Sequence, residues 1–131
     1  MDEGVLSPVE AEEFIALKML AGITLKVARS AGLWRSHQIV QLAKKHGIQL
    51  LGSGLCDPDL SLAASVHLFT WAGIDKPCAL NGPQYLRDSL DTTEFIPRND
   101  RIYLPGNPGL GLSLDDRAEA ALEYIVERQP V

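Results

Sequence analysis

Three short, mostly apolar runs begin at Ile23, Ile48 and Pro77, set 25 and 29 residues apart, with a helical pattern in each interval. That spacing is the length of one strand plus its crossover helix, the connection that consecutive parallel strands require. A chain with this rhythm is an α/β protein. Its 131 residues suffice for one domain with one real core.

Start and stop signals divide the chain further. Ser7-Pro8-Val9-Glu10 is a capping box with proline at the first helical position. Phe14, Ile15, Leu17, Lys18 and Leu20 extend that helix, and Gly22 offers a left-handed stop. Ile23 to Ala28 reads as the first strand. A second helix opens at Gly32, carries Leu33, Ile39, Val40, Leu42 and Ala43 at helical spacing, and closes at Gly47 behind Lys44-Lys45. Ile48 to Leu51 is the second strand, loosened by Gly52-Ser53-Gly54. The third helix starts at Asp57-Pro58, runs to Ala72 and stops at Gly73. Pro77 to Leu80 is the third strand, with a brief helix through Leu90. These βα units occupy residues 5–90. Residues 91–131 change character: a hairpin of Glu94 to Ile96 with Arg101 to Leu104, a Gly/Pro loop from Pro105 to Gly111, and a last helix. Ser113 caps that helix, and Ala118, Ala121, Leu122, Ile125 and Val126 anchor it.

Charge narrows the partners. The chain has 17 acidic and 12 basic residues, a net charge of -5, and no basic stripe. Nucleic acid and anionic membrane surfaces are therefore not expected partners. The stretch from Leu60 to Ile74 is broken by Ser61, Ser65, His67 and Thr70, short of the roughly 18 apolar residues a span needs. Met1-Asp2-Glu3-Gly4 lacks the basic and apolar regions of a signal peptide. A soluble, cytoplasmic protein is expected. Cys56 and Cys78 are too few for a disulfide framework and lack metal spacing, so both are expected as buried or half-buried thiols of a reducing compartment.

In a parallel α/β sheet, chemistry collects at the carboxyl ends of strands. Alternation puts Ile23, Leu25 and Val27 on one face and Thr24, Lys26 and Ala28 on the other. The first face suits a helix layer, so Lys26 is expected in a barrel interior or sheet crevice. A lysine there is costly unless paired or functional; the plain alternative is an edge lysine in solvent. Asp57 follows the second strand, although an aspartate before Pro58 is also an ordinary helix cap. Asp59 reads as a solvated first-turn carboxylate. His37, His46 and His67 lie on helices without ligand spacing, and the Pro105–Gly111 loop reads as a tight backbone path rather than a phosphate cradle.

Together these segments resemble the C-terminal part of the enolase superfamily, in its muconate-lactonizing, mandelate racemase-like subgroup. Asp2-Glu3-Gly4 with Ser7-Pro8 is similar to the Asp-Glu-Ser stretch after the fifth barrel strand. Leu25-Lys26-Val27-Ala28-Arg29-Ser30-Ala31-Gly32-Leu33 resembles the sixth-strand Lys-x-x-Lys-Ser-Gly-Gly-Leu motif. Gly52-Ser53-Gly54-Leu55-Cys56-Asp57 stands where the family has Gly-Gly-x-Met-Leu-Glu, with Ala63-Ala64-Ser65 at the expected distance. Leu80-Asn81-Gly82-Pro83 and Leu104 to Gly111 resemble the eighth-strand and tail signatures.

The resemblance implies the C-terminal portion of a TIM-type (β/α) barrel, about three βα units plus hairpin and helix. It implies an isomerase or lyase that abstracts a proton α to a carboxylate and stabilises the enediolate on Mg²⁺, a lysine-plus-metal solution known in this superfamily. Lys26 then falls on the general base or acid. Asp57 falls on the seventh-strand carboxylate, one methylene shorter than the family's glutamate. Asp2, with Glu3 beside it, falls on a metal ligand. Asn81 falls at a substrate-binding position, where, with Ala79, dipeptide epimerases carry an acidic pair. Arg29 replaces the motif's second lysine. A complete barrel takes about 250 residues, so the remaining metal carboxylates, the second-strand lysines and the capping domain lie outside this sequence. The chain alone is expected to be inactive and to bind magnesium weakly. The small carboxylate substrate belongs to the complete enzyme. A non-catalytic remnant or assembly module is the alternative, and open sheet edges predict a homo-oligomer.

Overall fold

In the computed structural model, residues 1–89, 95, 97–114 and 116–120 are described. Helix α1 spans Pro8–Ala16, strand β1 Gly22–Leu25, helix α2 Leu33–Lys45, strand β2 Gln49–Gly52, helix α3 Asp59–Ala72 and helix α4 Asp116–Ala120. A 3₁₀ turn covers Pro83–Tyr85. β1 and β2 pair in parallel, Ile23 beside Leu50 and Leu25 beside Gly52.

Two flanking segments extend this sheet without becoming full strands. The Met1 amino group donates to the Gly22 carbonyl at 2.8 Å, and the Met1 carbonyl accepts from the Thr24 N–H at 2.9 Å. That is the pattern of a parallel pair between Met1 and Ile23. On the far side Ala79 forms a parallel bridge with Ser53. Four parallel ribbons thus lie in chain order: Met1, β1, β2, Ala79. The strand expected over Pro77–Leu80 contracts to this one bridge.

The expected alternation holds along β1. Ile23, Leu25 and Val27 are buried against Ile39, Val40 and Ala43 of α2 and Leu68, Phe69 and Ala72 of α3. A second cluster joins Leu62, Ala63 and Val66 of α3 to Phe95. His67 Nε2 donates to the Leu110 carbonyl at 3.3 Å, tying the Gly/Pro loop to α3. That loop is a tight backbone path: Gly109 and Gly111 have φ of 71° and 75°, and a side chain on Gly111 would run into Pro105.

Local signals fail where a competing conformation wins. Helix α1 ends at Ala16 because Lys18, not Gly22, takes the left-handed position with φ 57°. The Lys18 and Met19 N–H groups close back on Ile15 and Phe14 at 2.9 and 3.0 Å, satisfying the last carbonyls; Gly22 is left to start β1. The first strand ends at Leu25 rather than Ala28, since Ser30 N–H bonds to the Lys26 carbonyl and turns the chain. Helix α3 starts at Asp59, with Pro58 as its N-cap. The helix expected through Leu90 is only the 3₁₀ turn, and Leu90 lies outside the described residues. The hairpin narrows to a bridge between Arg98 and Arg101 around Asn99 and Asp100. Both central residues have positive φ, as a type I′ turn requires. Glu94 and Ile96 lie outside the described residues, as do Ala121, Leu122, Ile125 and Val126.

On the outer layer His37 of α2 stacks between Trp34 at 5.7 Å and Trp71 of α3 at 4.6 Å, centroid to centroid. The Lys44 ammonium sits 5.3 Å from the Trp71 ring. Among the described residues no helix is long and apolar enough to cross a membrane.

Candidate functional site

Because the four ribbons are parallel, their carboxyl ends lie on one side of the sheet. Asp2 follows the Met1 ribbon, Lys26 follows β1, the 53–57 loop follows β2, and Asn81 stands two residues past Ala79. The structure therefore brings the residues singled out in the sequence to one edge of the fold.

Lys26 is buried, 7% exposed. Its ammonium donates to the Asp2 carboxylate and stands 3.8 Å from Glu3. Arg29 Nη1 lies 3.6 Å from the other Glu3 oxygen. The turn from Lys26 to Gly32, through Ala31 and Gly32 at positive φ, swings Arg29 back toward the N-terminal segment. Sequence reading assigned Glu3 only to a metal; its pairing with Arg29 needed the fold.

Asp57 is also buried, 6% exposed, but it does not cap α3. Its Oδ2 accepts from the Leu55 N–H at 3.1 Å, so the carboxylate folds back on its own loop. A side chain on Gly82 would land on the Asp57 backbone. The loop carrying Asn81 is therefore pressed against the loop carrying Asp57.

Asn81 itself is exposed and lines a cavity of about 660 Å³, which neither Lys26 nor Asp57 lines. The cavity lies between α3, the 78–81 segment and the Arg98–Arg101 turn. Two expectations change here. Asp59 is buried, accepting a hydrogen bond from the Ser89 hydroxyl, so it is not a solvated first-turn residue. Cys56 is exposed. Cys78 is half-buried, and burial pushes its thiol above the ordinary value, a rise partly opposed by a backbone hydrogen bond from Gly52.

The donor set can be tested against magnesium, which wants six oxygens in near-octahedral array. Asp2 and Glu3 are both engaged by cations, and no group of three acidic, histidine or cysteine side chains stands together among the described residues. These residues do not by themselves fit a magnesium ion.

A model of the enolase C-terminal domain-like family matches residues 1–118. The chain is 33% identical over 116 residues to muconate cycloisomerase 1 of Rhodococcus opacus, covering 87% of this chain and 31% of that one. Chloromuconate cycloisomerase of Pseudomonas putida is 29% identical over 115 residues, with 87% and 31% covered. Among solved structures, muconate lactonizing enzyme from Klebsiella pneumoniae superposes with a TM-score of 0.83 at 23% identity, covering 91% of this chain and 34% of that one. The Pseudomonas putida enzyme gives a TM-score of 0.77 at 27% identity, with 91% and 34% covered. The fold is thus part of a TIM-type barrel, and the chain spans about a third of the length of these relatives.

Proposed function

Because the chain belongs to the enolase C-terminal domain-like family, we propose that it is the C-terminal barrel portion of a muconate cycloisomerase-like isomerase acting on a small carboxylate. In this reading Lys26 moves the proton at the carbon α to the substrate carboxylate. The observation that carries it is the buried ammonium of Lys26 at the carboxyl end of β1, beside Asp2. A buried amine at a strand end is placed to deliver or receive a proton. Asp57, held against its own loop, orients the substrate from the neighbouring strand, and Asn81 offers an amide for its polar groups. Asp2 and Glu3, both paired with cations, would supply at most a minority of any metal's ligands, the rest having to come from outside this chain. A reducing, cytoplasmic setting completes the reading, supported by two free cysteines.

A chimaera tests this. Residues 1–118 replace the corresponding third of a muconate cycloisomerase, and solvent deuterium incorporation at the substrate α-carbon is followed by NMR. We expect exchange that Lys26→Ala abolishes. A folded chimaera without exchange, or exchange indifferent to Lys26→Ala, favours a non-catalytic module instead.

A further inference from the structure

Two cations and two carboxylates meet where β1 gives way to the turn that follows it. Lys26 Nζ donates to Asp2 and lies 3.8 Å from Glu3 Oε1, while Arg29 Nη1 lies 3.6 Å from Glu3 Oε2. Glu3 is thus shared, one oxygen toward each cation. The backbone fixes this meeting: the Ser30 N–H donates to the Lys26 carbonyl and the Gly32 N–H to the Val27 carbonyl, both at 3.0 Å. An ammonium carries three donors. Among the described residues Lys26 uses one, on Asp2. The others are open, with a second carboxylate waiting at 3.8 Å.

The balance of charge decides where Glu3 rests. With Arg29 present, Glu3 is drawn in two directions. Without Arg29, its one cationic neighbour among the described residues is Lys26, and attraction to a buried ammonium is weakly screened. Glu3 would then close on Lys26 and take a second donor. We propose that Arg29 is a positioning residue that acts through Glu3. It holds that carboxylate off the ammonium, so Lys26 keeps one protein partner and stays free to turn toward a substrate at the strand end. The inference rests on the reading of Lys26 as the group that moves the substrate proton. It gives Glu3 a task other than holding a metal, and it gives the motif's departure from a second lysine a reason. A guanidinium stays charged under all working conditions, and its rigid fork holds a carboxylate in place where a flexible ammonium would let it wander.

The test uses the full chain and, beside it, the chimaera. In the full chain, NMR relaxation of the Lys26 ε-methylene, assigned by its loss in Lys26→Met, reports how freely the ammonium turns. Arg29→Ala, a change at an exposed position, should rigidify that group. Adding Glu3→Gln should release it again, and Arg29→Lys should fall between. In the chimaera, Arg29→Ala should slow deuterium exchange at the substrate α-carbon about tenfold through kcat, with KM little changed, and adding Glu3→Gln should restore most of it. Mere loss of an exposed ion pair would not be reversed by removing a second charge. Relaxation indifferent to Arg29→Ala, or a rigidity that Glu3→Gln fails to release, overturns the proposal. A parent chimaera without exchange overturns instead the reading of Lys26 as the proton carrier, while the expected relaxation pattern still supports the placement of Glu3 by Arg29.

Discussion

The Lys26 ammonium and the Asp2 carboxylate meet across the parallel pairing of Met1 with Ile23, so a side chain at the second residue neutralises the one buried lysine among the described residues. The lysine side chain is 8% exposed and the aspartate 57%. The pair is half in water, which limits its worth, but removing only the acid leaves an ammonium with little solvent.

Asp2→Asn should therefore destabilise the fold by about 1 kcal/mol. Glu3, at 3.8 Å, takes over part of the load. Lys26→Met, which removes the charge and keeps the packed stem, should cost less than Asp2→Asn. Urea unfolding at pH 7 decides the order; a larger loss for Lys26→Met would mean the ion pair is not what holds Lys26 in place.

Gly82→Ala should be among the more damaging single changes, costing about 2 kcal/mol, since the new methyl would meet the backbone of Asp57 rather than a movable side chain. Gly106→Ala meets nothing within 4 Å and should stay within about 0.5 kcal/mol of the parent. Thermal melts of the two variants side by side are the measurement, and equal melting points would refute the close approach of the two loops.

Half of this arrangement was legible beforehand, for physical reasons. The alternation of Ile23, Leu25 and Val27 against Lys26 is a local consequence of the pleat, and it survives intact. The capping box at Ser7 and Glu10 is likewise local and is formed. What escaped depends on distant partners. Asp59 is buried because Ser89, 30 residues away, donates to it. Asp57 turns to Leu55 instead of capping α3 because Gly82 packs on its backbone. Pro77–Leu80 keeps a single bridge, since only Ala79 meets a paired neighbour.

Alkaline pH should weaken the fold through Cys78. Burial raises its thiol above the ordinary value of 9.0, so the native state holds this proton more tightly than the unfolded chain does. Its contribution is fully present below pH 9 and is lost as pH climbs through the raised native value. Unfolding free energy measured from pH 7 to 10.5 should fall less steeply in Cys78→Val than in the parent. Cys56→Ala, at an exposed position, controls for loss of a thiol. Parallel slopes in all three proteins would contradict this role for Cys78.

Magnesium should bind the isolated chain only weakly, with a dissociation constant in the millimolar range, because two adjacent carboxylates already engaged by cations cannot supply an octahedral shell. Isothermal calorimetry measures this directly, and micromolar affinity would reveal a ligand set beyond Asp2 and Glu3.

The stack of Trp34, His37 and Trp71 settles what light can report about this protein. The chain has two tryptophans, and both flank one imidazole where α2 meets α3. Every indole photon therefore originates from a single seam on the outer layer. Intrinsic fluorescence will register the parting of those two helices. Events at the strand ends near Lys26 will pass unseen unless they loosen that seam, so an unchanged emission spectrum is no evidence that a ligand has failed to bind.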